Sequence, residues 1–154
     1  MLENKIVARA KKNFRDYKMI ERFVAGLVLT GNEIKSLRNH QVSIDEAYVL
    51  PQKKELYIIN MNVATYKFSH AGDLAKTHDT RRRRKLLLKR REINKLIGNM
   101  KAKKYDLIPL QLFISSKGWA KLEIALAQHL RKYQIKEKIK EREAKRRLRE
   151  EDFY

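Results

Sequence analysis

Apolar and polar positions alternate most regularly in the second half of the chain. Leu110, Leu112 and Ile114 alternate with Gln and Phe, residues 115–118 (SSKG) have turn composition, and the alternation resumes over residues 120–126. A period of two places every second side chain on one face of a strand. The pattern predicts a β-hairpin, and it is the clearest β signal in the chain.

Other strands are predicted in the first half of the chain. Residues 17–29 (YKMIERFVAGLVL) are rich in β-branched and aromatic side chains and end at a Thr-Gly turn, which predicts one strand or two. The apolar runs 47–50 and 56–59 flank a Pro-Gln-Lys-Lys segment, the pattern of a second hairpin. A further run around Val63 is expected to extend the sheet.

A short helix is predicted directly after residue 31. Asn32 is a suitable N-cap, Glu33 places an acid in the first turn and Arg38 places a base in the last turn. Both charges complement the helix dipole, and Ile34 and Leu37 share one face.

A second, amphipathic helix is predicted from about Arg82 to Lys103. Leu86, Ile93, Ile97 and Met100 are spaced by seven, four and three residues, which aligns them on one helix face. The preceding segment, residues 71–80, is polar and without a period, so it is predicted to be a mobile loop.

The composition changes beyond residue 127. Residues 128–154 contain ten Lys or Arg and six Asp or Glu with few apolar side chains. The pairs Glu141 with Lys145 and Glu143 with Arg147 favour helix, but each contributes only about 0.2–0.5 kcal/mol, and ordering one residue costs about 1–2 kcal/mol. The segment is therefore expected to be disordered when free and helical when bound.

The predicted fold class is α+β. Short antiparallel strands are expected to curl into a small barrel with embedded helices over residues 1–127, followed by the basic tail at 128–154.

The charge balance indicates a polyanionic partner. The chain has 37 Lys or Arg and 18 Asp or Glu, a formal net charge of +19, and nucleic acid is the first candidate. A membrane is not expected as a partner, because no apolar run approaches the roughly 20 residues of a spanning helix. The N-terminal sequence lacks an export signal, so a cytoplasmic protein is predicted.

The densest basic segment begins with residues 81–85 (RRRRK) and continues with residues 89–91 (KRR), without an acid between them. At the start of the predicted helix these cations would oppose the dipole by roughly 0.3–1 kcal/mol each. Local folding does not explain them at that position, so phosphate contact is the interpretation, with a solvated helix face as the alternative.

A second basic cluster consists of Lys11, Lys12, Arg15, Lys18 and Arg22. Phe14 and Tyr17 lie within it, and their rings can either stack on unpaired bases or begin the core of the barrel. The sequence leaves these two alternatives open.

No active site, cofactor or metal centre is predicted. Cysteine is absent, and the four histidines lack metal-ligand spacing. No nucleotide-binding or hydrolase motif occurs. The chain is therefore not expected to be an enzyme.

Several blocks resemble one known family. Residues 25–38 (AGLVLTGNEIKSLR) are similar to a signature of the SsrA-binding proteins, also called small protein B. Residues 84–98, with RKLLL, REI and LIG, resemble that family's helix region. Residues 107–110 and 121–127 look like its last two strands.

The resemblance implies an oligonucleotide-binding (OB)-type barrel that binds the tRNA-like domain of transfer-messenger RNA (tmRNA) and delivers it to stalled ribosomes for trans-translation. It also implies a tail that probes the empty mRNA channel near the small-subunit rRNA of the decoding region. Elongation factor Tu would be a partner indirectly, through the RNA.

The candidate contacts comprise two sets of residues. The RNA-binding set is Lys11, Lys12, Arg15, Lys35, Arg38, Arg82, Arg84, Lys85 and Arg91. The ribosome-binding set in the tail is Tyr133, Lys136, Lys138, Lys140, Arg142, Lys145 and Arg146.

The chain departs from the family pattern at Ala10, Arg15, Val24 and residues 134–135, where the family usually has Asn, His, an acid and Asp-Lys. These departures lie in regions that the resemblance assigns to RNA contact. They keep an alternative open: a divergent relative that acts as a stable ribosomal RNA-binding component.

Overall fold

In this computed structural model, the described residues are 4–11, 14–65, 80–130 and 132–151. They form nine strands, three α-helices and one 3-10 turn. In chain order these are β1 (Lys5–Arg9), the 3-10 turn (Phe14–Asp16), β2 (Tyr17–Leu27), α1 (Gly31–Arg38), β3 (Val42–Ser43), β4 (Tyr48–Gln52), β5 (Glu55–Ile59), β6 (Asn62–Val63), β7 (Arg84–Leu87), α2 (Arg90–Lys103), β8 (Asp106–Ile114), β9 (Ala120–His129) and α3 (Lys132–Glu151).

Seven strands form one antiparallel sheet in the order β1-β8-β9-β2-β7-β5-β4. Register shifts interrupt the ladders, for example between Met19 and Glu21 in β2, and such bulges increase local twist. The sheet curls until β4 lies against β8. The α+β prediction with a small OB-like sheet is confirmed.

The curled sheet encloses the main core. Its members include Leu56, Ile58, Leu112, Leu122 and Ile124, each with almost no exposed surface. Ile93 and Leu96 of α2 and Leu37 of α1 are also buried in this cluster. The two helices thus pack against the sheet, as the predicted apolar faces require.

The two predicted hairpins are confirmed. β8 pairs with β9 so that Leu112 faces Leu122 and Ile114 faces Ala120. β4 pairs with β5 around a turn at Lys53 and Lys54, both in the left-handed region. The run at Val63 behaves differently from its prediction, because β6 pairs with β3 in a separate two-stranded ladder.

Helix α1 forms where expected but begins earlier. Its N-cap is Thr30, not Asn32. The Thr30 hydroxyl accepts a hydrogen bond from the Glu33 N–H at 3.2 Å, and the Glu33 carboxylate accepts one from the Thr30 N–H at 2.9 Å. This reciprocal capping box ties the helix start to Glu33.

The predicted start of the second helix is wrong. Residues 84–87 form strand β7 between β2 and β5, and α2 begins only at Arg90. In β7 the inward positions are Arg84 and Leu86, and the outward position Leu87 is exposed. The spacing from Leu86 to Ile93 therefore matched a helical period although the two residues belong to different elements.

The predicted boundary at residues 127 and 128 is too early. β9 continues to His129, and Leu130 is buried with its N–H bonded to the Asp16 carbonyl at 2.8 Å. The folded body thus includes Leu130. The predicted loop at residues 71–80 lies outside the described residues except for Thr80, which is part of a turn.

Among the described residues, no helix has the length and apolar character needed to cross a membrane.

Candidate nucleic-acid interface

Two of the clustered arginines, at residues 82 and 84, converge on one carboxylate. Arg84 donates from Nε to Glu33 Oε2 at 2.6 Å, and Arg82 Nε donates to both carboxylate oxygens at 3.2 Å. The guanidinium Nη2 atoms of both arginines also form salt bridges with Glu33. We call Thr30, Glu33, Arg82 and Arg84 the Glu33 cluster.

Arg84 is internal. Its side chain has 0% exposure, and its remaining donors bond the carbonyls of Met61 at 2.7 Å, Arg82 at 3.1 Å and Thr80 at 3.2 Å. A buried guanidinium with this set of acceptors is fully occupied inside the protein. The prediction that Arg84 contacts RNA is therefore wrong: it joins β7 to α1.

The environment of Glu33 explains its ionisation. Burial alone would raise the pKa of Glu33, but the hydrogen bond from Arg82, the bond from the Thr30 backbone and the charge of Arg84 outweigh it. The pKa of Glu33 is held below its ordinary value. The carboxylate is thus charged at neutral pH and compensates both arginines.

Four other cations of this segment, Arg81, Arg83, Lys85 and Arg90, also have partners. Arg81 bonds Glu46 at 3.3 Å and Asn60 at 3.0 Å, and Arg83 lies 4.6 Å above the centre of the Tyr57 ring. Glu55 pairs with both Lys85, at 3.9 Å, and Arg90. The hydrogen bond from Arg90 and the two positive charges lower the pKa of Glu55.

The arginines and the lysine at residues 81–85 are therefore not unpaired cations at the start of a helix, as the sequence suggested. Arg82 retains 31% side-chain exposure and Lys85 retains 42%. These two residues and Arg91, exposed in the first turn of α2, are the predicted contacts of this segment that solvent reaches.

The N-terminal basic cluster lies at the junction of β1, β2 and the 3-10 turn. Lys11 is exposed, and its N–H bonds Asp45 Oδ1 at 3.1 Å. Arg15 is exposed in the 3-10 turn, and Lys12 lies outside the described residues.

The rings in this cluster pack on protein. Tyr17 makes an edge contact with Phe14 at 6.3 Å and with His129 at 5.1 Å between ring centres. Both Phe14 and Tyr17 are half-buried against a small cluster that contains Ile108. Of the two open alternatives, the structure favours the core role. Burial, followed by the charges of Asp106 and Asp16, raises the pKa of Tyr17.

An apolar patch that the sequence analysis missed lies among the cations. Val24 is 54% exposed and Leu87 51% exposed on neighbouring strands, and Val28 follows the end of β2. Gly26 pairs with Leu87, and a Cβ at Gly26 would lie 3.3 Å from the Leu87 Cβ. The only sequence signal for this patch was Val24 at a position where an acid was expected.

Two more predicted contacts, Lys35 and Arg38, are exposed on α1. In the tail, helix α3 includes Tyr133, Lys136 and Lys138. Every side chain described in that helix, from Ile139 to Leu148, is exposed, including Lys140, Arg142, Lys145 and Arg146. The described cations of the tail are therefore in contact with solvent.

Comparison with known proteins gives consistent results. A family model described as SmpB protein matches residues 7–152. An SsrA-binding protein of Geobacillus kaustophilus is 43% identical over 146 residues, 95% of this chain and 91% of the relative. One from Mycoplasma mycoides is 42% identical over 142 residues, 92% of this chain and 93% of the relative.

A solved structure is also similar. It is described as "tmRNA-SmpB: a journey to the center of the bacterial ribosome" and contains a chain with 34% sequence identity and a TM-score of 0.62. The similarity covers 80% of this chain and 84% of that chain.

Proposed function

The chain belongs to the SmpB protein family, and from this premise we propose that it binds the tRNA-like domain of tmRNA and delivers the RNA to stalled ribosomes. The match over residues 7–152 carries the proposal, because it includes both the folded body and the tail. A member of this family is an RNA-binding factor of trans-translation and not an enzyme.

The surface supports RNA binding by the body. Lys11, Arg15, Lys35, Arg38 and Arg91 are exposed on the folded part, and cations of this kind bind phosphates and release counterions. The patch of Val24, Val28 and Leu87 adds apolar surface for sugars or base faces. A mixed cationic and apolar surface suits a folded RNA better than a purely electrostatic partner.

The tail has properties suited to a separate role. Its helix begins at Lys132, two residues after the buried Leu130, and its described side chains are all exposed. With few apolar residues, it lacks the means to stabilise itself by packing on the body. We assign to it the probing of the empty mRNA channel beside small-subunit rRNA, with Tyr133, Lys136 and Lys138 nearest the body.

This function places the protein in the cytoplasm, on ribosomes, with elongation factor Tu as an indirect partner through tmRNA. The stable-component alternative predicts different behaviour: a rescue factor leaves ribosomes in a high-salt wash, whereas a structural component remains.

The test combines RNA capture with a tagging assay. The purified full chain should bring down tmRNA above other RNAs. A chain ending at Arg131 should keep its melting temperature and its affinity for the tRNA-like domain but fail to tag stalled nascent chains. Loss of RNA binding in this truncation, or tagging at the full rate, would contradict the division between body and tail.

A matched pair of full-length variants refines the test. Lys140→Gln with Arg142→Gln removes two tail cations, whereas Glu141→Gln with Glu143→Gln removes two acids on the same helix. If rRNA contacts order the tail, only the first pair should slow tagging. Equal slowing by both pairs would indicate a helix-packing role instead.

A further inference from the structure

A second cationic site lies at the far end of β1 from Lys11. A cavity of about 290 Å³ is lined by Lys5, Arg38 and His40 together with Ser115, Ser116 and Gly118. We call it the Lys5 cavity. Lys5 and His40 were not among the residues that the sequence suggested for RNA contact.

Local backbone structure brings these side chains together. α1 ends with Arg38, and His40 then adopts a left-handed φ of 58° with its N–H bonded to the Leu37 carbonyl at 3.0 Å. This turn directs the chain back toward β3. The cations therefore come from two elements, α1 and β1, that are brought together by the fold.

The opposite wall is the β8–β9 turn. The Ser115 N–H bonds the Trp119 carbonyl at 2.8 Å, and the Ser116 N–H bonds Asn4 Oδ1 at 3.1 Å. The second bond ties the turn to the residue just before Lys5. The serines of this turn and the cations thus line the same cavity, and the Ser115 hydroxyl also accepts a hydrogen bond from the Trp119 N–H at 3.2 Å.

Within the described part of the chain, the cations of the cavity have no acidic partner, and no carboxylate lines the cavity. Among the residues that the structure describes, neither Lys5, Arg38 nor His40 forms a salt bridge. The dipole of α1 stabilises Arg38 at its C-terminal end but offers nothing comparable to Lys5. An external anion would compensate this arrangement.

We propose that the Lys5 cavity holds a backbone phosphate of bound RNA. The cavity has space for a phosphate with part of its sugar. It offers a guanidinium, an ammonium and two hydroxyl groups, all of which donate hydrogen bonds to phosphate oxygens. The inference rests on the proposed function, since it assigns one contact of the RNA that this protein binds.

The test compares two charge-matched variants by the salt dependence of binding. Lys5→Gln with Arg38→Gln removes two cations from the cavity. Lys53→Gln with Lys101→Gln removes two exposed lysines elsewhere on the body. The slope of log K against log salt should become shallower by roughly 0.7–0.9 for each lost phosphate contact in the cavity variant, and change less in the control variant.

Trp119 provides a direct reporter. It is the only tryptophan in the sequence, it is 66% exposed, and it directly follows Gly118 of the cavity wall. RNA bound at the cavity should reduce quenching of its emission by acrylamide. The cavity variant should lose this protection at RNA concentrations that still protect the control variant.

Two RNA sources are separated by running both measurements with the isolated tRNA-like domain and with small ribosomal subunits. A cavity-specific slope change with either RNA supports the proposal and identifies the source of the phosphate. Equal slopes for the cavity and control variants with both RNAs would overturn it. If the unmodified protein binds neither RNA, the proposed function itself fails, which is a distinguishable result.

Discussion

The Glu33 cluster and the Lys5 cavity both gather cations around α1, but the cations meet different surroundings. In the cluster, Arg82 and Arg84 converge on a carboxylate whose side chain is 4% exposed. In the cavity, Lys5 and Arg38 line an open space together with Ser115 and Ser116. The first arrangement contributes to the fold, and the second leaves its charge available to a ligand.

The difference shows that density of charge along a sequence does not measure charge available for binding. The four consecutive arginines look like the obvious RNA site, yet each has a partner within the protein. Lys5 and His40 are isolated in the sequence and meet only through the fold. Long-range pairing with acids therefore decides which cations remain for RNA.

The largest effect that would test this contrast is expected from Arg84→Gln. Removing one partner of a buried ion pair leaves Glu33 less compensated and should destabilise the fold by about 3–5 kcal/mol. Chemical denaturation measures the change. Arg83→Gln is the control, because Arg83 is exposed over the Tyr57 ring. Similar stability of the two variants would contradict the structural role of Arg84.

A smaller effect is expected at the helix cap. Thr30→Ala removes the acceptor for the Glu33 N–H and should cost about 0.5–2 kcal/mol. Asn32→Ala at the neighbouring position is the control and should change stability by less than about 0.5 kcal/mol. Thermal unfolding of both variants measures the difference. A larger loss of stability in Asn32→Ala than in Thr30→Ala would show that Asn32 is the cap.

Acid should weaken the Glu33 cluster gradually. Because the pKa of Glu33 is lowered in the folded state, its contribution is fully present above its unfolded pKa, about 4.3. The contribution is lost as the pH falls through the folded value, with a slope of at most about 1.4 kcal/mol per pH unit for one group. Unfolding free energies between pH 7 and 3 should therefore fall less steeply in Glu33→Gln. Parallel curves would show that Glu33 is not a source of the acid sensitivity.

The smallest effect on stability is expected for Arg91→Gln. This side chain is exposed at the start of α2, so the melting temperature should be nearly unchanged while RNA binding weakens and its salt slope becomes shallower. A variant that loses stability but keeps its RNA affinity would place Arg91 with the structural arginines.

The sequence predicted the elements whose signals are local. Alternation around a Ser-Ser-Lys-Gly turn located β8 and β9, and an acid followed by a base located α1. β7 was missed because a four-residue strand is too short to outweigh the helical spacing from Leu86 to Ile93. The tail boundary was placed too early because Leu130 joins the folded body through a backbone hydrogen bond to Asp16, a residue far away in sequence.

The candidate site was harder to predict for the same reason. Arg84 and Glu33 are separated by 51 positions, and no short sequence pattern predicts that they are in contact. The exposed cations of α1 and α2 could be proposed because surface charge needs no partner. The Lys5 cavity could not, since its members come from α1, β1 and a distant turn.

The bond between Glu33 and Arg84 also sets an order of events during synthesis. When α1 leaves the ribosome, its carboxylate meets neither partner guanidinium until 49 more residues have been added for Arg82 and 51 for Arg84, which takes about 2–10 s at 5–20 residues per second. Until then α1 would have to bury an uncompensated charge, so we expect it to stay undocked. Nascent chains arrested before and after Arg84 emerges should differ sharply in protease resistance, and early resistance would show that α1 docks without its partner.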